Sequence, residues 1–295
     1  TTIHMSKAAQ NIYLGAGSGG MVLEDAELGR FTTSAVMTLG NSLSGDISVR
    51  GVTDGNSDSI ATLTLKATES GKKVTFETAA SVFNKGLLAS AAAGVVVDHD
   101  VTVKAQSVLD AGASSFTLSS TRTLSTTNTA LTISADDFDF AGDSLTTGTA
   151  VLTLDCKTAG KTIGLGATPF NIDITATEVQ KLTSAGLIVG SANCGSQTVT
   201  GILQSNSANI DGMVTLVATK DDVKVTFTGT SSTFYGLSVQ ADNGVVANKK
   251  ILTDIGVLYL NGDADSSTAN DDTDTVAFTD ALTMTAATIL TLSAK

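Results

Sequence analysis

The most specific ligand pattern in the chain is an acidic stretch, "GDADSSTANDDTD" at 262–274. Asp263, Asp265, Ser267, Asp271 and Asp274 fall at positions 1, 3, 5, 9 and 12 of a twelve-residue loop, and Ala269 offers a backbone carbonyl at position 7. Hard oxygen donors at that spacing wrap one Ca²⁺, the only cofactor the sequence suggests. Two departures count against it. Thr268 stands where such loops place Gly, and Asp274 is shorter than the usual bidentate Glu. The competing reading is a flexible acidic surface loop.

Other chemistry is sparse, and no catalytic residues are expected. His4 and His99 are the only histidines, too few for a multi-histidine metal site and far apart in sequence. "GSGG" (17–20) lacks the strand, helix and Lys of a phosphate loop, and "GASS" (112–115) is no nucleophile elbow. Asp137/Asp139 and Asp221/Asp222 would be the acid and base of a polysaccharide-cleaving enzyme. Sugar clefts use aromatic platforms, however, and aromatics are 4% here with no Trp. Solvated turn carboxylates are the stronger reading. Cys156 and Cys194 are the only cysteines. They either form a disulfide between neighbouring turns of a coiled path or pack as two small buried thiols.

The elements that must position these residues are strands. Val, Ile, Leu, Ala, Thr and Ser dominate, and Pro169 is the single proline. β-Branched side chains suit a pleated, half-buried surface. Short alternating patches such as "VMTL" (36–39), "VTF" (74–76), "VVV" (95–97) and "VTV" (101–103) recur, separated by Gly, Asn, Asp and Ser turns. One helical signal recurs per copy: Thr175 and Glu178 form a T-x-x-E capping box, and "LEDAELGRF" (23–31) occupies the corresponding place earlier.

The chain is duplicated. "KVTFETAASVF" at 73–83 returns as "KVTFTGTSSTF" at 224–234, a spacing of 151 from residue 73 to residue 224. "LTLKAT" (63–68) and "VTLVAT" (214–219) keep that spacing. "ALTIS" (130–134) and "ILTLS" (289–293) are 159 apart, from residue 130 to residue 289, which places an insertion of about eight residues at 262–274. The expected organisation is therefore residues 1–150 as copy one and 151–295 as copy two. The fold expected is all-β, a right-handed-type β-solenoid or β-helix of two tandem repeats. The alternative is two tandem β-sandwich domains. Small core residues and an unbroken strand rhythm through 133–155 favour the solenoid.

A net charge of −12 and a pI near 4.4 disfavour nucleic acid and anionic membranes as partners, and no apolar run is long enough for a spanning helix. The start at Thr1 points to a processed product or a segment of something longer. Lys295 aligns with Asp136, so the joining segment 136–150 has no counterpart in copy two. That register points to head-to-tail continuation, by further chain or by copies of the same molecule, into a filament.

The phrases "AGDSLTTGTAVLTL", "ITATEVQ", "VTLVAT" and "VQADNGV" resemble the low-complexity β-repeats of very large secreted surface proteins. These include filamentous-haemagglutinin-like and autotransporter-like adhesins, and giant repetitive proteins of algae and aquatic microbes. The resemblance implies an extracellular or cell-surface structural role without catalysis. An adhesin stalk or carbohydrate-contacting surface is the alternative, and a β-helix polysaccharide-degrading enzyme a distant third. Thr/Ser-rich turns are candidates for O-glycans, whereas no N-x-S/T sequon occurs.

Overall fold

The computed structural model describes residues 1–166, 169–264, 266 and 273–294. Strands dominate, with four helical turns of four residues each among the described residues. The chain divides into two compact units, Thr1–Ala150 and Val151–Lys295.

In the first unit the strands form three parallel ladders. The first ladder stacks Thr2–Ile3, Thr33–Asn41, Ile60–Ala67, Gly86–Ala91, Ser107–Asp110 and Leu131–Ala135 in that order. The second stacks Met21–Glu24, Ile12–Gly15, Ile47–Val49, Val74–Phe76, Val95–Val97, Ser115–Leu118 and Asp137–Phe140. The third stacks Ser81–Phe83, Val101–Val103, Thr123–Thr126 and Ser144–Thr146. From Ile60 onward the chain visits first, second and third ladder in turn and then returns to the first. Each circuit lays one rung on the last, at the roughly 4.8 Å strand spacing of a β-sheet.

The second unit repeats the plan. Its first ladder runs through Val151–Cys156, Leu182–Gly190, Ile210–Ala218, Leu237–Ala241, Leu258–Asn261 and Leu290–Ser293. Its second runs through Ile172–Ile174, Ile163–Leu165, Gln197–Val199, Val225–Phe227, Val245–Ala247 and Val276–Phe278. Ser232–Phe234, Ile251–Thr253 and Met284–Thr285 form the third. The corner that joins Asp110 to Ser115 in the first unit runs from Asn261 to Val276 in the second, where the spacing of the repeated phrases changes.

Pairing within each unit is parallel, which overturns the tandem sandwich alternative, because sandwiches pair strands antiparallel. Alternation explains why these segments make rungs. In the three-residue strands of the second ladder the outer two side chains point inward and the middle one outward. In-register stacking then builds continuous columns. Ile12, Ile47, Val74, Val95, Phe116 and Phe138 form one, and all are buried. Leu14, Val49, Phe76, Val97, Leu118 and Phe140 form its neighbour. Each fully buried aliphatic or Phe side chain contributes on the order of 1.5–3 kcal/mol. Phe138 and Phe140 stack at 5.8 Å, and Phe76 meets Phe83 edge-on at 6.2 Å.

The one helical turn expected per copy becomes two: α1 (Asp25–Leu28) and α2 (Asp54–Ser57), then α3 (Ala176–Val179) and α4 (Gln204–Ser207). At α3 the Glu178 amide donates to Thr175 Oγ1 at 3.2 Å and the Thr175 amide to Glu178 Oε2 at 2.8 Å. The sequences of α2 and α4, "DGNS" and "QSNS", hold turn formers rather than helix formers, so composition gives no helical signal there. Among the described residues, no helix is long and apolar enough to cross a membrane.

Candidate functional sites

The residues singled out for chemistry are dispersed. His4 is exposed, with Nδ1 2.9 Å from the Met5 carbonyl oxygen. His99 is half-buried, and its Nδ1 accepts from the Asp100 amide at 3.1 Å. Asp137 and Asp139 alternate with the buried Phe138 and Phe140, so they lie on the outer face of a strand. Asp221 and Asp222 are exposed on a turn, and the Asp222 amide donates to Asp242 Oδ2 at 2.8 Å. "GSGG" connects two strands of the second ladder as an exposed turn, and "GASS" lies where the chain passes from Ser107–Asp110 of the first ladder into Ser115–Leu118 of the second.

Of the calcium-loop residues, Asp265, Ser267 and Asp271 lie outside the described residues. Asp263 and Asp274 stand at the two feet of the insertion. Those feet are pinned to the preceding rung: the Ala264 amide donates to the Ala241 carbonyl at 2.9 Å, and the Thr273 amide to Asn243 Oδ1 at 3.1 Å. Cys156 and Cys194 form a disulfide between two rungs of the second unit. Asp155 lies beside it, its Oδ1 3.5 Å from Cys194 Sγ. Sulfurs joined to each other are not thiolate ligands, so this cluster is a crosslink.

Two further features stand out. The first is an apolar edge. Leu290 pairs with Leu258, Leu292 with Leu260 and Phe278 with Ala247. The earlier members of each pair are fully buried, whereas Leu290, Leu292 and Phe278 are 45%, 46% and 45% exposed. The rung thus presents core-type side chains and strand N–H and C=O groups to solvent.

The second is a corner built twice, around the short helices α2 and α4. In the first unit Asp54 opens α2, Asn84 follows Ser81–Phe83, and Lys104 follows Val101–Val103. Lys104 Nζ donates to Asp54 Oδ2 at 2.8 Å and Asn84 Nδ2 to Oδ1 at 2.9 Å. Both carboxylate oxygens are therefore satisfied. In the second unit the corresponding residues are Gln204, Tyr235 and Asp254. Gln204 Nε2 donates to Asp254 Oδ2. Asp254 Oδ1 has under 1 Å² of accessible surface and no hydrogen-bond partner among the described residues. Spacing alone hides this corner, because its members come from three successive rungs.

No family model, curated protein or solved structure matches the chain.

Proposed function

We propose that this chain is a structural repeat segment of an extracellular protein filament. In this reading its ladders wind as a β-solenoid, and successive segments join head-to-tail through open β-edges. The observation that carries it is the exposed rung of the second unit. Phe278, Leu290 and Leu292 continue buried columns in register and stand 45%, 45% and 46% exposed. A following rung would cover them and pair the strand groups beneath it, whether further chain or a second copy supplies that rung. Contact between two different faces does not close on itself, so it propagates as a fibre.

The wider character of the chain supports the same role. Its acidic, Thr-rich composition suits a solvated β-surface, and a disulfide suits an oxidising compartment. The role proposed is non-enzymatic: Asp137 and Asp139 lie on the outer face of a strand in the first unit, and Asp221 and Asp222 on a turn of the second.

The test is assembly of the purified 295-residue chain. Light scattering should rise with concentration, and negative-stain micrographs should show end-on strings. Leu290→Asp with Leu292→Asp should abolish both while leaving the β-sheet circular dichroism intact. A wild-type chain that stays a monodisperse monomer at every concentration overturns head-to-tail self-assembly.

A further inference from the structure

We propose that the corner pocket of the second unit binds a primary alkylammonium group of the kind a lysine side chain carries. This inference stands apart from the filament reading and uses none of the residues that carry it. Gln204, Ala208, Tyr235, Asp254 and Ile255 line an open cavity of about 220 Å³. Its chemistry is one carboxylate, one primary amide, one phenol ring and apolar surface, with Ile255 53% exposed at its mouth.

The first unit shows what this corner takes when the chain fills it itself. There a lysine ammonium, Lys104, sits 2.8 Å from the Asp54 carboxylate, and the Asn84 amide completes the set. In the second unit the carboxylate has moved to the lysine's place, at Asp254, and Tyr235 replaces the amide donor. Among the described residues Asp254 then keeps one neutral donor, Gln204, and an oxygen shielded from solvent without a partner. Leaving a shielded carboxylate oxygen unpaired is costly, and an ionised donor repays more than a neutral one.

An incoming ammonium supplies the ionised donor that this carboxylate lacks. Gln204 is exposed and can swing away from Asp254. The ammonium then takes the amide's place on Asp254 Oδ2 as an ionised donor. The three ammonium donors match the carboxylate and the freed amide oxygen, while the alkyl stem lies along Tyr235 and Ile255. The net charge of −12 raises the local concentration of cations.

The probe is Nα-acetyl-lysine methylamide, titrated into the isotopically labelled chain and followed by NMR at the Tyr235 ring and the Ile255 methyls. Saturable shifts are expected there, and none with the Nε-acetylated analogue, which has no charge. Asp254→Asn should weaken binding roughly tenfold or more, the loss of one charge-assisted bond. Gln204→Asp with Asp254→Lys recreates the first unit's internal pair and should close the site. Unchanged amide shifts elsewhere in that variant show that the fold is kept. Equal shifts with the acetylated analogue, undiminished binding to Asp254→Asn, or no shift at tens of millimolar would each overturn the proposal. Shifts from methyl glucoside in place of lysine would make this a sugar site and overturn it equally.

Discussion

Asp54 is the residue whose charge the surrounding structure most clearly manages. The hydrogen bond from Lys104, and after it that from Asn84, holds its carboxyl below the usual carboxylate range, with burial acting weakly in the opposite direction. A carboxyl with a lowered pKa in the folded state contributes stability above its ordinary pKa. That contribution fades as pH falls through the lowered value. Lys104 and Asp54 are 40% and 43% exposed, so solvent screens the pair and the contribution is small. The sharper measurement is the titration itself. In Lys104→Met, the Asp54 carboxyl carbon should titrate at higher pH than in the wild type. An unchanged midpoint would show that Lys104 is not the cause.

At the scale of the element, the rungs depend on corners that turn tightly against the rung above. Gly40, near the end of Thr33–Asn41, has φ +86°, and a Cβ there would lie 2.3 Å from the Lys66 carbonyl oxygen. Gly19 has the same φ of +86° in the turn before Met21, with nothing within 4 Å. The two positions separate backbone strain from crowding. Gly19→Ala should cost about 1–2 kcal/mol, the left-handed penalty alone. Gly40→Ala should cost a further ~1–3 kcal/mol, because the Lys66 strand must shift to accept the methyl group. Urea denaturation of the two variants checks this. Equal losses would remove the close approach of Lys66 as a cause.

At the scale of the whole molecule, duplicated units allow one to serve as control for the other. Only the second carries a crosslink, Cys156–Cys194, spanning 38 residues. The first has Met5 and Ser44 at the matching positions. Closing a loop of that length stabilises by about 4 kcal/mol in the chain-entropy account. Units built of stacked rungs interact mainly with their neighbours, so the effect should stay local. Native-state hydrogen exchange of the Cys156→Ser, Cys194→Ser variant should show protection lost through Leu182–Gly190 and Gln197–Val199. Thr33–Asn41 and Ile47–Val49 should keep theirs. Equal loss in both sets would show that the crosslink acts on the chain as one cooperative body.

Much of this fold is written along the chain. Strand patches such as "VTF" at 74–76 and 225–227 alternate inward and outward at period two, a local property that needs no partner to be read. The repeated phrases fixed two copies and placed the insertion at the corner between Asn261 and Val276. The helical turns at "DGNS" and "QSNS" stayed hidden, because four residues of turn formers carry no period. The corner of Gln204, Tyr235 and Asp254 was beyond sequence reading for a different reason. Its members are some thirty and fifty positions apart from Gln204, and they meet only because corner lengths bring successive rungs into register. The register of the copies pointed to an open edge, but not to the exposure of Leu290 and Leu292 in particular, since as residue types they match Leu258 and Leu260. Sequence by itself determined which side chains face inward on each strand. Tertiary structure alone decided which of those faces are covered, because coverage depends on the neighbouring rung.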